Sequence, residues 1–294
     1  MKAWAKINLT LDIIGKRPDG YHELASVMQA ICLHDTLVIR KTERQGIKIK
    51  CDCPALPRDE GNLAYQAAQL LLSENNISTG IFIELYKKIP VAAGLAGGSS
   101  DCAAALLGLN SLLNLDLSQA QLLEMARKLG ADVPFCLISN QEPSCATALA
   151  EGIGEQLTPL PCHPEVFIVL VRPPVSVSTK DIFSAWTKSA RIADMKSPAV
   201  VQALVSGEIS EISANLGNDL APAAIAMHPE IAIVMTALQE QNAIAVNMSG
   251  SGPTVFAYFT SEEAANMAIK YIQNNFPGYD TYFTQPNTTK KLYS

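Results

Sequence analysis

A loop of glycine and alanine, followed directly by a helix of alanine and leucine, constrains this chain more than any other stretch. The loop runs from Val91 to Gly98, and the three residues after it, Ser99-Ser100-Asp101, predict the N-cap of a helix that reaches about Asn114. A helix start leaves about four backbone N–H groups without partners and attracts anions, and glycines allow a bulky anion to approach closely. The stretch, called the glycine loop below, therefore indicates a phosphate site.

Two common nucleotide loops do not fit this sequence. No Gly-Lys-Ser/Thr closes the glycines, which excludes a Walker loop, and the spacing differs from Gly-x-Gly-x-x-Gly although Ile81–Tyr86 upstream is typical of a strand. If the loop binds phosphate, Ser99 and Ser100 offer hydroxyls to a phosphate oxygen or to the shell of a Mg²⁺ ion. The alternative is a glycine-rich connection that a serine happens to cap.

Composition narrows the function classes. A length of 294 residues predicts about two domains, and 48% hydrophobic with 17% charged residues is typical of a globular protein. The net charge of −6 argues against nucleic acid or an anionic membrane as a partner. No apolar run approaches the ~18 residues of a membrane helix, and the N-terminus lacks a signal-peptide pattern. Seven cysteines without a framework predict reduced thiols and a cytoplasmic location, and nothing in the sequence indicates an oligomeric state.

The first strand has an unusually polar face. Residues 3–13 alternate, with Ala5, Ile7 and Leu9 on one face and Lys6 and Asn8 on the other. The two polar side chains either face bulk water or line a site, and the pattern alone leaves both open.

Tyr21 and His22 follow a basic Pro-Asp-Gly turn at residues 15–20. An aromatic ring and an imidazole in this place either stack on and hydrogen-bond a nucleobase, or pack on the turn and face solvent.

Two further segments admit two interpretations each. Asp132, in Ala131-Asp132-Val133-Pro134, is either the N-cap of a short helix or a carboxylate held at a corner and pointing into a site. The second glycine loop, Ser249–Pro253, is either a hairpin-type turn or a segment that closes the phosphate pocket.

The remaining pattern predicts an α+β protein with two domains. Ser26–Leu33 and Thr36–Ile39 indicate separate strands, and the breaker cluster around residue 158 predicts domains of 1–158 and 159–294. Helices are expected after the caps Asn62 and Ser118 and after a capping box at residues 260–263. The tail from residue 285 is expected to be loose.

Taken together, these motifs resemble the GHMP kinases, small-molecule kinases named for galactose, homoserine, mevalonate and phosphomevalonate. Their Pro-x-x-x-Gly-Leu-x-x-x-Ser-Ser signature matches Pro90–Ser100. The blocks Ala5–Leu9, Gly15–Leu24, Gly130–Pro134 and Ser249–Thr254 resemble, in the right order, one branch of the family that serves the non-mevalonate isoprenoid pathway. The resemblance covers nearly the whole chain and is weakest between residues 185 and 240.

The resemblance implies an ATP-dependent kinase, with Mg²⁺, acting on a cytidine-diphosphate-linked polyol. It implies an N-terminal domain like ribosomal protein S5, a ferredoxin-like C-terminal domain and a deep cleft between them. It also implies the following site residues: Lys6 and Asp132 as the catalytic pair; Asn8 on the substrate phosphates; Tyr21, His22 and Phe183 on the cytosine; and, along the ATP phosphates, Pro90, Val91, Ala92, Ala93, Gly94, Leu95, Ala96, Gly97, Gly98, Ser99 and Ser100.

Three departures and two alternatives remain. Ala96 stands where the family more often has glycine, Cys102 where it often has alanine, and Ser139–Ala146 replaces an expected short glycine turn. The acceptor alcohol is alternatively homoserine or mevalonate. A catalytically silent nucleotide-binding module on the same scaffold is the other alternative, which the presence of both Lys6 and Asp132 disfavours.

Overall fold

The computed structural model of this chain describes residues 1–141, 146–161, 163–186 and 194–287. The predicted α+β class is confirmed, because helices and strands are mixed along the chain. The strands are β1 (Lys2–Asn8), β2 (Thr10–Lys16), β3 (His22–Thr42), β4 (Gly46–Cys51), β5 (Gly80–Tyr86), β6 (Thr147–Gly152), β7 (Gln156–Pro159), β8 (Phe167–Arg172), β9 (Gly217–Asn218), β10 (Ala245–Met248), β11 (Val255–Phe259) and β12 (Asp280–Thr284). The helices are α1 (Leu63–Glu74), α2 (Gly97–Leu113), α3 (Gln119–Leu129), α4 (Val133–Gln141), α5 (Thr179–Ala185), α6 (Ser197–Ser206), α7 (Ile209–Ala214), α8 (Ala221–Met227), α9 (Glu230–Glu240) and α10 (Glu262–Asn275).

The chain divides into two compact units, each built from separate stretches of sequence. The first unit comprises Met1–Ala5, Leu33–Val91 and Ala96–Pro143. The second comprises Lys6–Cys32, Ala92–Leu95 and Ser144–Ser294. The domain boundary near residue 158 stays a prediction.

The first unit packs helices α1 to α4 with strands of one sheet. Strand β4 runs parallel to β5, and β5 pairs antiparallel with the end of β3, from Thr36 opposite Tyr86 to Thr42 opposite Gly80. Buried alanines and leucines fill the space between these elements, among them Ala67 and Leu71 of α1 and Ala103 and Leu106 of α2. Small side chains allow α2 to be buried along much of its length, which fixes the helix start in place.

The second unit contains a four-stranded antiparallel sheet in the order β10-β11-β8-β12. Along the chain, β8 is followed by helices, then β10 and β11, then α10, then β12. This strand order and connectivity are those of a ferredoxin-like domain. The sheet's buried core includes Val169, Val171 and Phe259, and α9 and α10 contribute Val234 and Ile272 to it.

Strand β3 corrects one prediction. The expected break between Ser26–Leu33 and Thr36–Ile39 is wrong, because β3 is continuous over 21 residues. The expected gap falls at His34-Asp35, but Asp35 is fully buried and its Oδ1 accepts from the backbone N–H groups of Lys88 and Ile89. A carboxylate with such partners does not need water, so the strand continues through it.

Two of the predicted helix caps, Asn62 and Ser118, are confirmed. The Asn62 side chain accepts from the Ala64 N–H, and Ser118 forms the full capping box with Gln121. The capping box predicted at residues 260–263 is wrong by one residue, because the cap of α10 is Ser261, whose side chain accepts from the Ala264 N–H. The tail is paired further than expected, since the Cys32 N–H donates to the Gln285 carbonyl and the Asn287 N–H to the Ala30 carbonyl. Residues 288–294 lie outside the described part of the chain.

Among the described residues, no single helix is both long and apolar enough to cross a membrane. Within the described ranges, one helix pair, α8 with α9, is long and apolar enough when taken together, and the chain bends by 114° between them.

Candidate active site

The N-cap of α2 lies three residues before Ser99, the earliest of the predicted cap residues. The helix begins at Gly97 after Ala96, which adopts φ 56° and provides no side-chain cap, so the prediction that Ser99–Asp101 supply the N-cap is wrong. A Cβ on Gly97 would lie 3.0 Å from Cγ2 of Ile89, so this close approach holds the position for glycine. The left-handed conformation of Ala96 is one that glycine adopts at lower cost than alanine.

The two predicted hydroxyls differ in their surroundings. Ser100 is fully buried and its hydroxyl donates to the Trp4 carbonyl at 2.7 Å, so it does not lie at the lip of the loop as predicted. Ser99 is half-buried, and Gly98 is exposed. A Cβ on Gly98 would meet only Cδ1 of Leu63, at 3.5 Å, among the described residues. The helix start therefore offers an open backbone and one hydroxyl to an anion.

A buried charge cluster lies in the first unit beside the glycine loop, and sequence reasoning missed it. Lys87 Nζ lies 2.5 Å from Asp35 Oδ2 and 2.6 Å from Asp101 Oδ2. It would also lie 3.4 Å from a Cβ on Gly97. The partners are 52 and 14 residues away from Lys87, so no local pattern indicated them.

Burial and the charges within this cluster shift the pKa values of Asp101 and Lys87. Burial raises the pKa of Asp101 from 3.8 to about 8, with Asp35 adding repulsion and Lys87 opposing it. Burial alone would lower the Lys87 pKa, but the two carboxylates outweigh it and the pKa is raised. Asp101 Oδ1 has no hydrogen-bond partner among the described residues. Burial thus favours the protonated form of Asp101, whose Oδ2 lies against Lys87 Nζ.

The polar face of the first strand is buried, so it does not face bulk water. Lys6, 4% exposed, donates from Nζ to Asn8 Oδ1 at 2.7 Å, and Asn8 Nδ2 donates to the Ser26 hydroxyl at 2.8 Å. The Ser26 hydroxyl in turn donates to the Thr10 carbonyl. Further along, both oxygens of Asp12 accept backbone N–H groups at the start of α6. A chain of short hydrogen bonds therefore holds the lysine side chain in a set direction.

The second glycine loop contacts part of the first within the second unit. Gly94 has φ +75°, and a Cβ on it would lie 2.3 Å from the Ser249 carbonyl oxygen, which only glycine permits. The Ser249 hydroxyl donates to the Gly94 carbonyl at 2.9 Å, and the Asn8 backbone N–H donates to that hydroxyl at 3.2 Å. The second glycine loop is therefore more than a hairpin turn, because its Ser249 side chain bonds to both the glycine loop and the first strand.

An aromatic cluster forms at the predicted base site. The rings of His22 and Phe183 lie 5.3 Å apart at 32°, and Trp186, which sequence reasoning missed, packs edge-on against His22 at 5.6 Å. Tyr21 is 61% exposed. Burial, helped by the nearby charge of Lys16, lowers the pKa of His22, which favours the neutral imidazole. Such a cluster provides ring faces together with one donor and one acceptor.

Asp132 lies at the corner between α3 and α4. The Val133 N–H donates to the Gly130 carbonyl, and the Asp132 carbonyl accepts from the Cys136 N–H, the first such bond of α4. Its backbone therefore occupies the predicted N-cap position, and the residue is half-buried. Its convergence with Lys6 stays a prediction. In Ser139–Ala146, α4 continues to Gln141, and residues 142–145 lie outside the described part of the chain.

Comparison with known proteins gives the family. The sequence profile of the GHMP kinases N-terminal domain matches residues 62–140, and that of the GHMP kinases C-terminal domain matches residues 200–278. A 4-diphosphocytidyl-2-C-methyl-D-erythritol kinase from Lachnoclostridium phytofermentans is 43% identical over 285 residues, covering 97% of this chain and 96% of the relative. The chain belongs to the GHMP kinase family.

Other relatives agree with this family. A kinase of the same name from Pelotomaculum thermopropionicum is 45% identical over 271 residues, covering 92% of each chain. A crystal structure of 4-(cytidine 5'-diphospho)-2C-methyl-D-erythritol kinase superposes with a TM-score of 0.81 at 33% identity, covering 97% of this chain and 99% of that one. Homoserine kinase from Cytophaga hutchinsonii, with a TM-score of 0.74 and 23% identity, shares the fold. The chain is thus a phosphotransferase with an alcohol acceptor, and GHMP kinases use ATP.

Proposed function

We propose that this GHMP kinase transfers the γ-phosphoryl group of ATP to the 2-hydroxyl of 4-diphosphocytidyl-2-C-methyl-D-erythritol, in non-mevalonate isoprenoid biosynthesis. The observation that carries this proposal is the identity of 43% over nearly the full length of a relative with that name. Free thiols at Cys51, Cys53 and Cys102 support the cytoplasmic location expected from the sequence.

ATP phosphates would lie along Pro90–Ser100. The open backbone at Gly97 and Gly98 and the half-buried Ser99 support this placement, because N–H groups at a helix start and a hydroxyl suit phosphate oxygens. Ala92 to Leu95 would lie along the same phosphates. Within this segment, the Ser249 hydroxyl donates to the Gly94 carbonyl and fixes it. Buried Ser100 supports the loop from beneath through its bond to Trp4.

Mg²⁺ fits this site as a companion of ATP. Among the described residues, no group of three or more His, Cys, Asp or Glu side chains is placed to hold a metal. Mg²⁺ usually keeps several waters and binds substrate phosphates with one or two protein oxygens, so such a cage is not needed. Ser99, beside the proposed phosphates, would supply an oxygen. When bound, the ion spreads the negative charge of the transferred group.

Lys6 and Asp132 would carry the chemistry. The alcohol oxygen attacks the γ-phosphorus, the bond to the β,γ-bridging oxygen breaks, ADP leaves, and the alcohol proton passes to the Asp132 carboxylate. Such a transfer has a loose, in-line transition state, so positioning and charge matter most. The hydrogen bond from Lys6 to Asn8 supports a fixed ammonium that keeps the carboxylate ionised and stabilises charge on the oxygen. The second amide N–H of Asn8, whose first donates to Ser26, would reach a substrate phosphate.

Tyr21, His22 and Phe183 would hold the cytosine. Exposed Tyr21 and the face of Phe183 would stack on the base, and neutral His22 would hydrogen-bond its edge. A Tyr21→Ala variant tests this role. We expect the KM for the cytidine-linked alcohol to rise at least about tenfold and the KM for ATP to change less than about twofold, since stacking on one base contributes about 1–3 kcal/mol. Equal rises in both constants would remove the assignment.

A substrate panel tests the function itself. The purified chain is assayed for ADP release with ATP, Mg²⁺ and, in separate reactions, 4-diphosphocytidyl-2-C-methyl-D-erythritol, 2-C-methyl-D-erythritol, homoserine and mevalonate. We expect turnover with the cytidine-linked alcohol at least about a hundredfold above the others, because the base and diphosphate supply binding energy for positioning. Comparable turnover with an alcohol lacking cytidine, or no turnover with any, would contradict the proposal.

A further inference from the structure

The Ser249 hydroxyl joins two segments to which the proposed function gives different tasks. Ser249 is fully buried and lies between the glycine loop and the first strand within the second unit. Its Oγ donates to the Gly94 carbonyl at 2.9 Å and accepts from the Asn8 N–H at 3.2 Å. One hydroxyl therefore holds a carbonyl of the proposed ATP loop and the backbone of the residue that orients Lys6.

The contacts form a closed ring. Asn8 Oδ1 accepts from Lys6 Nζ at 2.7 Å, and the Lys6 backbone N–H donates to the Leu95 carbonyl at 3.2 Å. Leu95 follows Gly94, whose carbonyl accepts from Ser249. A displacement of any member is thus passed to the others through hydrogen bonds of fixed geometry.

Ser249 is itself held rigidly. Asn218 Nδ2 donates to the carbonyls on both sides of it, Met248 and Gly250, at 2.8 Å each. The Ser249 N–H donates to the Thr254 carbonyl at 2.9 Å, which closes the second glycine loop. The hydroxyl is therefore presented by an anchored turn and does not adapt to its partners.

We propose that Ser249 is a positioning residue that couples the glycine loop to the Lys6 ammonium. The inference rests on the proposed function. Because the peptide plane is rigid, holding the Gly94 carbonyl also sets the direction of the Leu95 N–H on the other side. The same hydroxyl holds the Asn8 backbone, so the phosphate-facing loop and the ammonium keep one relative orientation. Only a small hydroxyl both donates and accepts in this space.

A double-mutant cycle on the full chain tests this coupling. Ser249→Ala, Lys6→Met and the double variant are compared with wild type by single-turnover transfer from ATP to the cytidine-linked alcohol. We expect Ser249→Ala to lower the rate about 10–100-fold, the effect of a small misplacement near the reacting groups. In the Lys6→Met background the same change should lower the rate less than about twofold, because the two residues act as a unit.

A merely structural role predicts a different result. If Ser249 only stabilises the fold, its loss lowers the rate by the same factor in both backgrounds, and that outcome overturns the inference. If Lys6→Met instead transfers at the wild-type rate, the proposed function of Lys6 is wrong. Failure of the Ser249 inference and failure of the proposed function are therefore distinguishable. Ser261→Ala, which removes the α10 cap, is the matched control and should lower the melting temperature without slowing transfer.

Ser249→Cys provides a second variant should alanine prevent folding. A thiol has nearly the same shape but is a weak donor with longer bonds, so the rate should fall by an intermediate factor, about 3–10-fold. If Ser249→Cys no longer slows transfer in the Lys6→Met background, the coupling is supported. Equal effects of Ser249→Cys in both backgrounds contradict it.

Discussion

Lys87 and Lys6 are both buried lysines, and the structure surrounds them differently. Lys87 Nζ lies between the carboxylates of Asp35 and Asp101, within 2.6 Å of each. Lys6 Nζ donates to a neutral amide oxygen, Asn8 Oδ1, in a network that continues to Ser26 and Ser249. The comparison teaches that burial of a lysine does not define its task. The side chains of Asp35 and Asp101 hold Lys87 within the fold, whereas the amide of Asn8 helps to set the direction of Lys6.

The largest expected effect is at the proposed partner of Lys6. Asp132→Asn keeps the shape of the side chain and removes the proton acceptor, so turnover should fall about a thousandfold while ATP binding is nearly unchanged. Steady-state kinetics and nucleotide binding measure the two separately. The same change at exposed Asp116 is the control and should leave turnover intact. A variant retaining more than about a tenth of the wild-type rate would reject the base role.

The second largest effect is expected at Lys6 itself. Lys6→Met should lower kcat about a hundredfold or more, because it removes a positive charge from the transition state, while the melting temperature changes little. Lys2→Met, on the same strand at an exposed position, is the matched control and should keep the wild-type kcat. A kcat close to wild type for Lys6→Met would end the distinction between the two lysines.

In contrast to Lys6→Met, Lys87→Met should mainly lower the stability of the chain. It leaves the buried side chains of Asp35 and Asp101 without their ammonium, so the free energy of unfolding should fall about 3–5 kcal/mol, measured by urea denaturation. Lys87→Arg, which keeps the charge, should recover part of this loss. Lys128→Met, at an exposed lysine of the same unit, should leave the urea midpoint nearly unchanged. An unfolding free energy within experimental error of wild type for Lys87→Met would contradict the structural role.

The smallest effect concerns the pH dependence of the Lys87 cluster. Because the pKa of Asp101 is about 8 in the folded chain and 3.8 in the unfolded one, the folded state holds an extra proton between these values. Stability should therefore fall as pH rises from about 4 to 8. Asp101→Asn, which mimics the protonated carboxyl, should change stability at pH 7 by less than about 1 kcal/mol and remove this slope.

Urea denaturation at a series of pH values measures that slope. Asp35→Asn is the comparison, since Asp35 also accepts two backbone N–H groups, and it should destabilise the chain by about 2 kcal/mol. Parallel pH profiles for wild type and Asp101→Asn would show that Asp101 is ionised in the folded state.

Local signals accounted for much of the fold. The caps at Asn62 and Ser118 were predictable because a polar residue before an apolar helical pattern satisfies free N–H groups with its own side chain. The ferredoxin-like half was expected from the family resemblance, and the strand order agrees with it. The continuous β3 was missed because Asp35 resembles a turn residue unless its partners across the fold are known.

The candidate site was predictable in its residue types and less so in its contacts. The glycine loop and the alternation around Lys6 were visible in the sequence, whereas the helix start at Gly97 depends on packing against Ile89. The Lys87 cluster joins residues that are 14 and 52 positions apart in sequence. Asn218 bonds to the second glycine loop about 30 positions away. No periodicity encodes such pairs, so only the folded chain reveals them.

The most direct test places the two lysines side by side. Single-turnover transfer of the γ-phosphoryl group is measured for Lys6→Met and Lys87→Arg under saturating ATP and cytidine-linked alcohol, with each rate normalised to the folded fraction. The account predicts a loss of about a hundredfold or more for Lys6→Met and less than about fivefold for Lys87→Arg. Equal losses, or a larger loss at Lys87, would contradict it.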